Sequence, residues 1–224
     1  MPKSRYQPLR IDIRVDGLMA VPERDSLMLD SLLLSLGGTR YALPFPEQAV
    51  PVQVVRDKRW PTGCFVWLAS ALRVQWHGPS SDRFLTRNAR PLELLDDAAG
   101  HNATSVDAGA GITKVSRRRI TLRHASIASG WCMGDAKALE ALLTGLRAIG
   151  AYRHGGHGVV RSVEVSIDPA AHDLAWSRPL PGAHADDPFA NRRFRAPGRA
   201  TAPYWDRDLR QEAWWPVPQL PKSL

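Results

Sequence analysis

The chain has 224 residues, of which 44% are hydrophobic, and this composition excludes a wholly disordered protein. Thirty Lys and Arg residues face 22 Asp and Glu residues, and the net charge of +8 favours a polyanionic partner such as a nucleic acid. Two cysteines are too few for a disulfide framework or a zinc cage, and no segment is typical of a secretory signal or reaches the roughly 18 apolar residues of a membrane span. We therefore expect a cytoplasmic protein without membrane contact.

The first half of the chain predicts strands around one helix. Residues 9–15 alternate between apolar and charged side chains, which predicts a half-buried strand. Leucines at helical spacing predict a helix that Asp25 or Ser26 caps, that reaches Leu36, and that Gly37 ends. Residues 50–55 and 63–76 contain strand-like runs. Residues 77–111 lose periodicity, which predicts a long insertion or mobile loop.

The second half predicts a basic strand at residues 114–124 and an amphipathic helix at residues 135–149, with Gly150 as its stop. A glycine-rich loop then leads into a strand at residues 159–167, and the remaining segment is rich in Pro, Arg and Trp. This order predicts an α+β fold of the ferredoxin-like, RRM-like βαββαβ type. We expect a domain at residues 1–170, with an insertion at about 77–115, and an irregular C-terminal extension at 171–224 that packs on the domain or on a partner.

The most informative segment is the glycine loop, residues 150–158. Four glycines within nine residues permit positive φ and close ligand approach, and exposed N–H groups in such a loop can form a nest for phosphate oxygens. The spacing fits neither a P-loop nor a dinucleotide-binding fingerprint. The alternative is a flexible connection in which the glycines serve only as turn residues.

The glycine loop resembles that of the RAMP superfamily of CRISPR proteins through Gly150, Arg153, Gly156, Gly158 and Val159. Two further features narrow the resemblance. The run Met28-Leu29-Asp30-Ser31-Leu32-Leu33 is similar to the opening of one small RAMP subunit, and Arg178-Pro179-Leu180-Pro181 precedes Pro203-Tyr204-Trp205. Together these motifs resemble the Cas5-type subunit of type IV CRISPR effector complexes, the Csf-three family.

The resemblance implies a non-catalytic subunit that holds the five-prime handle of the CRISPR RNA and caps a filament of Cas7-like backbone subunits. It implies contact with the type IV large subunit, access to target DNA through the complex, and no cofactor. Asp30 is expected to be structural. Two alternatives stay open: a metal-independent endonuclease of the same fold that cleaves repeat RNA, and a generic basic nucleic-acid-binding protein.

Three groups of residues are candidates for RNA binding. Arginine pairs with phosphate and stacks on bases, which favours basic segments next to turns and glycines. The candidates are Gly150, Arg153, His154, Gly155, Gly156, His157 and Gly158 in the glycine loop; Lys114, Arg117, Arg118, Arg119 and Arg123 in the basic strand; and Arg56, Lys58 and Arg59 before Trp60. The alternatives are a solvated edge strand for the second group and a turn with an anchoring Trp for the third.

Catalysis would need a general base near the 2′-hydroxyl and a cation for the phosphate. His124, His154 and His157 could supply such groups, with Tyr152 or Lys114 nearby in sequence. Their spacing is not diagnostic, so no catalytic residue is assigned. His154 and His157 have no carboxylate or thiolate nearby in sequence, so no metal site is expected. The Trp-rich end of the chain either fastens the extension to the domain or docks a partner.

Overall fold

The computed structural model describes residues 6–21, 27–37, 47–87, 116–151, 153–200 and 211–216. Its strands are β1 (Gln7–Asp16), β2 (Leu18–Ala20), β3 (Val54–Val55), β4 (Val66–Trp67), β5 (Arg73–Arg87), β6 (Ser116–Gly134), β7 (Val159–Ile167), β8 (Arg193–Gly198) and β9 (Gln211–Pro216). Its helices are α1 (Leu29–Leu36), α2 (Ala136–Leu143) and α3 (Ala171–Leu174). The protein is therefore a mixed α/β structure with few helices.

Strand β6 is the central strand of a five-stranded antiparallel sheet and pairs with β1, β2 and β5. β1 pairs with the second half of β6, from Gln7 opposite Gly134 to Arg14 opposite Ile127, and β2 continues along the same edge. β5 pairs with the other edge of β6, and β7 lies outside β1. The spatial order is thus β5–β6–β1–β7, with α1 after β1 in the chain and α2 after β6.

The main core lies on one face of this sheet. Leu9, Ile11, Ile13 and Val15 are buried, which confirms the alternation predicted for β1. Leucines from α1 and α2, Leu139 of α2 among them, pack against these residues in one cluster. Burial of each such aliphatic side chain contributes about 1.5–3 kcal/mol relative to exposure. The amphipathic stripes of the two helices thus fix both of them to the same face of the sheet.

Helix α1 begins later than the sequence suggests. Its N-cap is Met28, which makes no side-chain capping bond, and the predicted caps Asp25 and Ser26 lie outside the described residues. The first turn is held by tertiary contacts: Met28 forms a bridge with Ala71, and the Leu29 N–H donates to the Ser70 carbonyl at 3.1 Å. The predicted end at Gly37 is confirmed, since the Gly37 N–H donates to Leu33 O.

Helix α2 starts as predicted but ends early. The Asp135 carboxylate accepts a hydrogen bond from the Ala138 N–H, a standard N-cap. The predicted end at residue 149 is wrong, because the helix stops at Leu143 and Ala148 forms a bridge with Val159. Leu146 and Ile149 are still buried, so the apolar stripe that predicted a longer helix serves a turn and a short strand-like segment.

The predicted insertion at residues 77–111 is wrong for its first part. Residues 77–87 continue β5, and Arg87 lies opposite Ser116 of β6. Residues 81–84 are all exposed, which explains why they show no apolar alternation. The remainder of the predicted insertion, residues 88–115, lies outside the described residues. β6 confirms the basic strand from Ser116 and extends ten residues beyond its predicted end at His124. The predicted strand at 50–55 is reduced to Val54–Val55.

The C-terminal extension forms a second apolar cluster with the β3–β4 region. Val55, Trp60, Val66 and Leu68 meet three residues of the extension, namely Ala175, Trp176 and Leu180. The β8–β9 hairpin joins this cluster through Trp214, whose backbone N–H and carbonyl both bond to Leu180. Among the described helices, none is long and apolar enough to cross a membrane.

Candidate nucleic-acid interface

The base of the glycine loop is bonded to the sheet. The Gly158 N–H donates to the Leu18 carbonyl at 2.8 Å, and the Gly158 carbonyl accepts from the Ile149 N–H at 2.8 Å. Gly158 has a φ of +67°, and an added Cβ would lie 2.0 Å from the Ile149 oxygen. The glycine is therefore required by the fold, and its N–H is not available to a phosphate.

The tip of the glycine loop is open. Arg153–Gly155 form a single 3₁₀ turn, which the Gly156 N–H closes by donating to Arg153 O at 3.1 Å. Gly155 and Gly156 are exposed, and no atom lies within 4 Å of a Cβ added at Gly156. A ligand can thus approach the backbone here more closely than at a residue with a side chain. His157 is only 8% exposed.

Two positions of the glycine loop lie wholly or partly outside the described residues. Tyr152 lies outside the described residues, and so does the side chain of His154. Gly150 has a φ of +85°, and a Cβ there would lie 3.3 Å from Met19. Gly150 thus allows the loop to turn over β2, while the exposed part of the loop is limited to the 3₁₀ turn and Gly156.

Strand β2 connects the glycine loop to the basic strand. Leu18, which accepts the loop's hydrogen bond, pairs with His124, and Met19 pairs with Arg123. On the other edge of β6, His77 lies opposite His124. Gly158, Leu18, Arg123, His124 and His77 thus form one strip across the sheet, which we call the transverse strip. Residues far apart in sequence meet in it only because β6 pairs on both of its edges.

Arg123 and Arg119 have different surroundings within β6. The Arg123 Nε donates to the Gly78 carbonyl at 2.8 Å, which fixes its guanidinium at a bend of β5. The Arg119 side chain is 66% exposed and lies 3.3 Å from Asp82, itself 42% exposed. Such exposed pairs contribute little to stability, so Arg119 can exchange its partner for a phosphate. Arg117 and Arg118 belong to β6 with side chains that are not described, and Lys114 lies outside the described residues.

The cationic turn at residues 56–60 is held by internal contacts. The Asp57 carboxylate accepts two hydrogen bonds from the Arg59 guanidinium, at 2.9 and 2.5 Å. These bonds lower the pKa of Asp57 well below its usual range and raise the pKa of Arg59. Arg56 lies over the Phe65 ring at 5.5 Å, whereas Lys58 is exposed.

Trp60 is an anchor of the fold. It is 4% exposed, and its indole N–H donates to the Ala183 carbonyl at 3.1 Å. A base cannot stack on a ring that is already enclosed. Of the two interpretations of this turn, the anchoring Trp agrees with the structure.

Arg178 is buried and joins two of the motifs that carry the family resemblance. Its side chain and that of Asp30 are both 0% exposed, and its Nη1 lies 2.9 Å from the Asp30 Oδ2. The same guanidinium donates to the carbonyls of Trp67 and Ala200, at 2.5 and 3.0 Å. Asp30 is therefore a structural residue, as expected, and Arg178 is its partner.

Arg193 has a similar internal role. Its side chain is 0% exposed, forms an ion pair with Asp187, and donates to the carbonyls of Trp176, Arg178 and Trp214. Two arginines of the basic C-terminal extension thus hold it together and are not available to a phosphate.

A cation–aromatic cluster that no sequence motif indicates lies on the sheet face opposite the main core, and it is largely enclosed, since Trp131 is only 7% exposed. Trp131 of β6 has Arg10 and Arg73 near its ring, at 5.7 and 5.1 Å from the ring centroid. Its indole N–H donates to the Asp168 carboxylate at 3.0 Å. The charged face of β1 was visible in the alternation of residues 9–15, but no sequence signal indicates that Arg73 and Trp131 lie beside it.

A family model described as CRISPR type IV associated protein Csf3 matches residues 7–216. The chain belongs to the Csf3 family. The match extends from the start of β1 to the end of β9, so the family includes the C-terminal hairpin as well as the sheet. No curated protein matches the chain. Family membership makes this Csf3 chain a subunit of a type IV CRISPR complex.

Among the described residues, no group of three or more His, Cys, Asp or Glu could hold a metal ion.

Proposed function

We propose that this Csf3-family chain is a non-catalytic subunit that binds the five-prime handle of the CRISPR RNA and caps the Cas7-like backbone of a type IV effector complex. The observation that carries the proposal is the transverse strip, in which the glycine loop is joined through β2 to Arg123 and His124. The loop and the basic strand are the two segments whose composition favours phosphate contact, and only β2 lies between them.

The sheet supports this assignment. Four of its strands lie in the order β5–β6–β1–β7, with α1 following β1 and α2 following β6, and this order supports a ferredoxin-like, RRM-like βαββαβ unit. We propose that the domain is of this type, with β2, the β3–β4 pair and the β8–β9 hairpin as additions. Domains of the RRM type bind single-stranded RNA at their four-stranded sheet.

The chemistry of the two segments that the transverse strip joins suits a phosphate backbone. The exposed tip of the glycine loop offers close approach at Gly155 and Gly156, and Arg153 at the same turn offers a planar fork for phosphate oxygens. Arg123 is fixed by its bond to Gly78, and Arg119 lies further along the same strand. The handle would thus run from the loop tip along β6. Within the assembled complex, in the cytoplasm, the chain would contact the type IV large subunit and, through the complex, target DNA.

Cleavage of repeat RNA is the second candidate function, and one observation favours it. His77 and His124 are direct cross-strand partners and both are exposed, while the His77 Nε2 lies 2.7 Å from the Ser126 Oγ. Two imidazoles on adjacent strands can serve as general acid and base toward a 2′-hydroxyl. His157, by contrast, is nearly buried, which disfavours it as a catalyst.

The test is to incubate the purified protein with end-labelled repeat RNA in EDTA and to score binding and cleavage together. Arg153→Ala is expected to weaken binding by about 10-fold or more, because a charge-assisted hydrogen bond contributes about 1.5–3 kcal/mol. The matched control is Arg192→Ala, which removes an equally charged, exposed side chain from the C-terminal extension and is expected to bind as the natural protein does.

Three results would contradict the proposal. Equal loss of binding in the Arg153 and Arg192 variants would indicate non-specific attraction of a polyanion. The same conclusion would follow if an unrelated RNA of equal length bound with equal affinity at 200 mM salt. Specific cleavage that His124→Ala or His77→Ala abolishes would make the chain the processing enzyme.

A further inference from the structure

Strand β7 is an edge strand with one unoccupied side. Within the described part of the chain, it pairs along its length only with β1. The start of its outer edge is occupied by the chain itself, since the Val160 N–H donates to the Arg147 carbonyl at 2.9 Å. Beyond that point the outer edge continues to Ile167, whose side chain is 68% exposed. An edge of this kind can accept another strand.

The backbone direction along this edge follows from the pairing. The Asp168 N–H donates to Pro8 and therefore points toward β1. Since alternate residues of an antiparallel strand direct their N–H and C=O groups to opposite edges, the backbone groups of Val163, Val165 and Ile167 point outward. Among the described residues these outward groups have no hydrogen-bond partner in the structure.

A groove of about 510 Å³ lies along the same edge, between β7 and the α2 region. Six consecutive residues of β7, 160–165, line it. Alternate side chains of a strand point to opposite faces of the sheet, so a run of consecutive residues lines a groove only along the strand's backbone edge. The opposite wall contains Leu143 and Leu146 as apolar groups and Glu140 and Arg147 at the rim.

We propose that an extended segment of a neighbouring protein subunit adds a strand to β7 and occupies this groove. The outward backbone groups of β7 would form hydrogen bonds with the added strand, and α2 would contact its alternate side chains. This mode of peptide recognition is β-augmentation. The inference depends on the chain being a subunit of a multi-protein complex, as its family indicates, and is independent of the RNA surface.

The walls of the groove define the chemistry of the segment. Leu143 and Leu146 are nearly buried, so small or β-branched apolar side chains fit against them. Arg147 and Arg161 are both exposed where the groove meets the segment that already pairs with Val160. An acidic side chain in the added strand would complement them there, and a basic one would complement Glu140 on α2.

Two measurements on the complex assembled with its guide RNA test the proposal. The first is amide hydrogen exchange, in which the outward N–H groups of Val163, Val165 and Ile167 are expected to exchange at least about 10-fold more slowly in the complex than in the free chain. The second places a photo-crosslinking residue at Ile167, which is expected to label one extended segment of another protein subunit.

A matched pair of variants isolates the backbone bond. Val165→Pro removes one outward N–H without removing a bond to β1, while Val165→Thr keeps the N–H and the β-branched shape. The proline variant is expected to enter the complex at least about 10-fold less efficiently than the threonine variant, with both binding repeat RNA alike. If instead the RNA proposal is wrong, the free chain and both Val165 variants will all fail to bind repeat RNA specifically.

Several results would overturn the augmentation proposal. They are unchanged exchange of the three amides on assembly, crosslinks confined to RNA or to a second copy of this chain, and equal assembly of the two Val165 variants. If Val165→Pro does not fold, as judged by circular dichroism, the exchange and crosslinking of the natural sequence decide the question.

Discussion

Removal of the Asp30 carboxylate is expected to destabilise the protein strongly, because it removes a negative charge 2.9 Å from the buried Arg178 guanidinium, which stays charged in the core. Both side chains are 0% exposed and their charged atoms lie 2.9 Å apart. The guanidinium would retain the carbonyls of Trp67 and Ala200 as acceptors. Carbonyl groups accept hydrogen bonds but do not neutralise a charge, and water does not reach this position in the folded state.

The magnitude follows from the burial. Breaking a fully buried ion pair by removing one partner costs about 3–5 kcal/mol, and we expect Asp30→Ala to fall in this range. Asp30→Asn keeps an acceptor and should cost less. Arg178→Met removes the charge and the donor to the Ala200 carbonyl, whereas the Trp67 carbonyl still accepts from the Ala69 N–H at 2.7 Å. The double variant should therefore cost less than the sum of the two single variants, with a coupling of roughly 1–3 kcal/mol.

Urea unfolding monitored by circular dichroism measures these changes, and the midpoint of thermal unfolding should fall by roughly 6–20 °C for Asp30→Ala. Asp82→Ala is the matched control, because Asp82 also pairs with an arginine, Arg119, but at an exposed position. Its expected cost is within about 0.5–1 kcal/mol. A cost for Asp30→Ala within 1 kcal/mol of the control, or simple additivity in the double variant, would refute the reasoning.

Two further predictions concern the glycine loop and the cysteines. Gly158→Ala should destabilise the protein by roughly 3 kcal/mol or more, because its Cβ would meet Ile149 O at positive φ. Gly155→Ala should cost at most about 0.5 kcal/mol; similar urea midpoints for the two variants would contradict this. Burial raises the pKa of Cys132 to about 12 and also raises the pKa of the half-buried Cys64. Iodoacetamide at pH 8 should therefore label Cys64 slowly and Cys132 only after unfolding, and labelling of native Cys132 would exclude the described packing.

The arginines of this chain differ in whether their guanidinium groups are accessible to an RNA phosphate, which the net charge alone does not reveal. The +8 charge counts every arginine equally, yet Arg178 and Arg193 have no exposed side-chain surface. Arg59 is held by Asp57, whereas Arg153 lies at the open turn of the glycine loop and Arg119 has only an exposed partner. The basic segments thus separate into cations that bind the protein itself and cations that a phosphate can reach.

The elements that the sequence predicts well are those whose side chains fall clearly on two faces. β1, β7 and the Asp135 cap have the predicted positions, because burial on one face produces a period that is visible locally. The second half of β5 was harder, because residues 77–84 are exposed on both faces of the strand and therefore have no apolar period. Helix α2 was predicted too long because Leu146 and Ile149 are buried by a strand-like segment, and the same apolar spacing fits both.

By itself, the sequence determined the class of the protein, the basic character of its surface, the glycine loop and the motifs of its family, because each of these depends on residues that are close together in the chain. Only the tertiary structure decided that Asp30 is paired with Arg178, that Trp60 is enclosed, and that β2 joins the glycine loop to Arg123 and His124. These outcomes depend on which strands share an edge and which side chains lose contact with water. Long-range pairing sets both, and no local pattern in the chain records it.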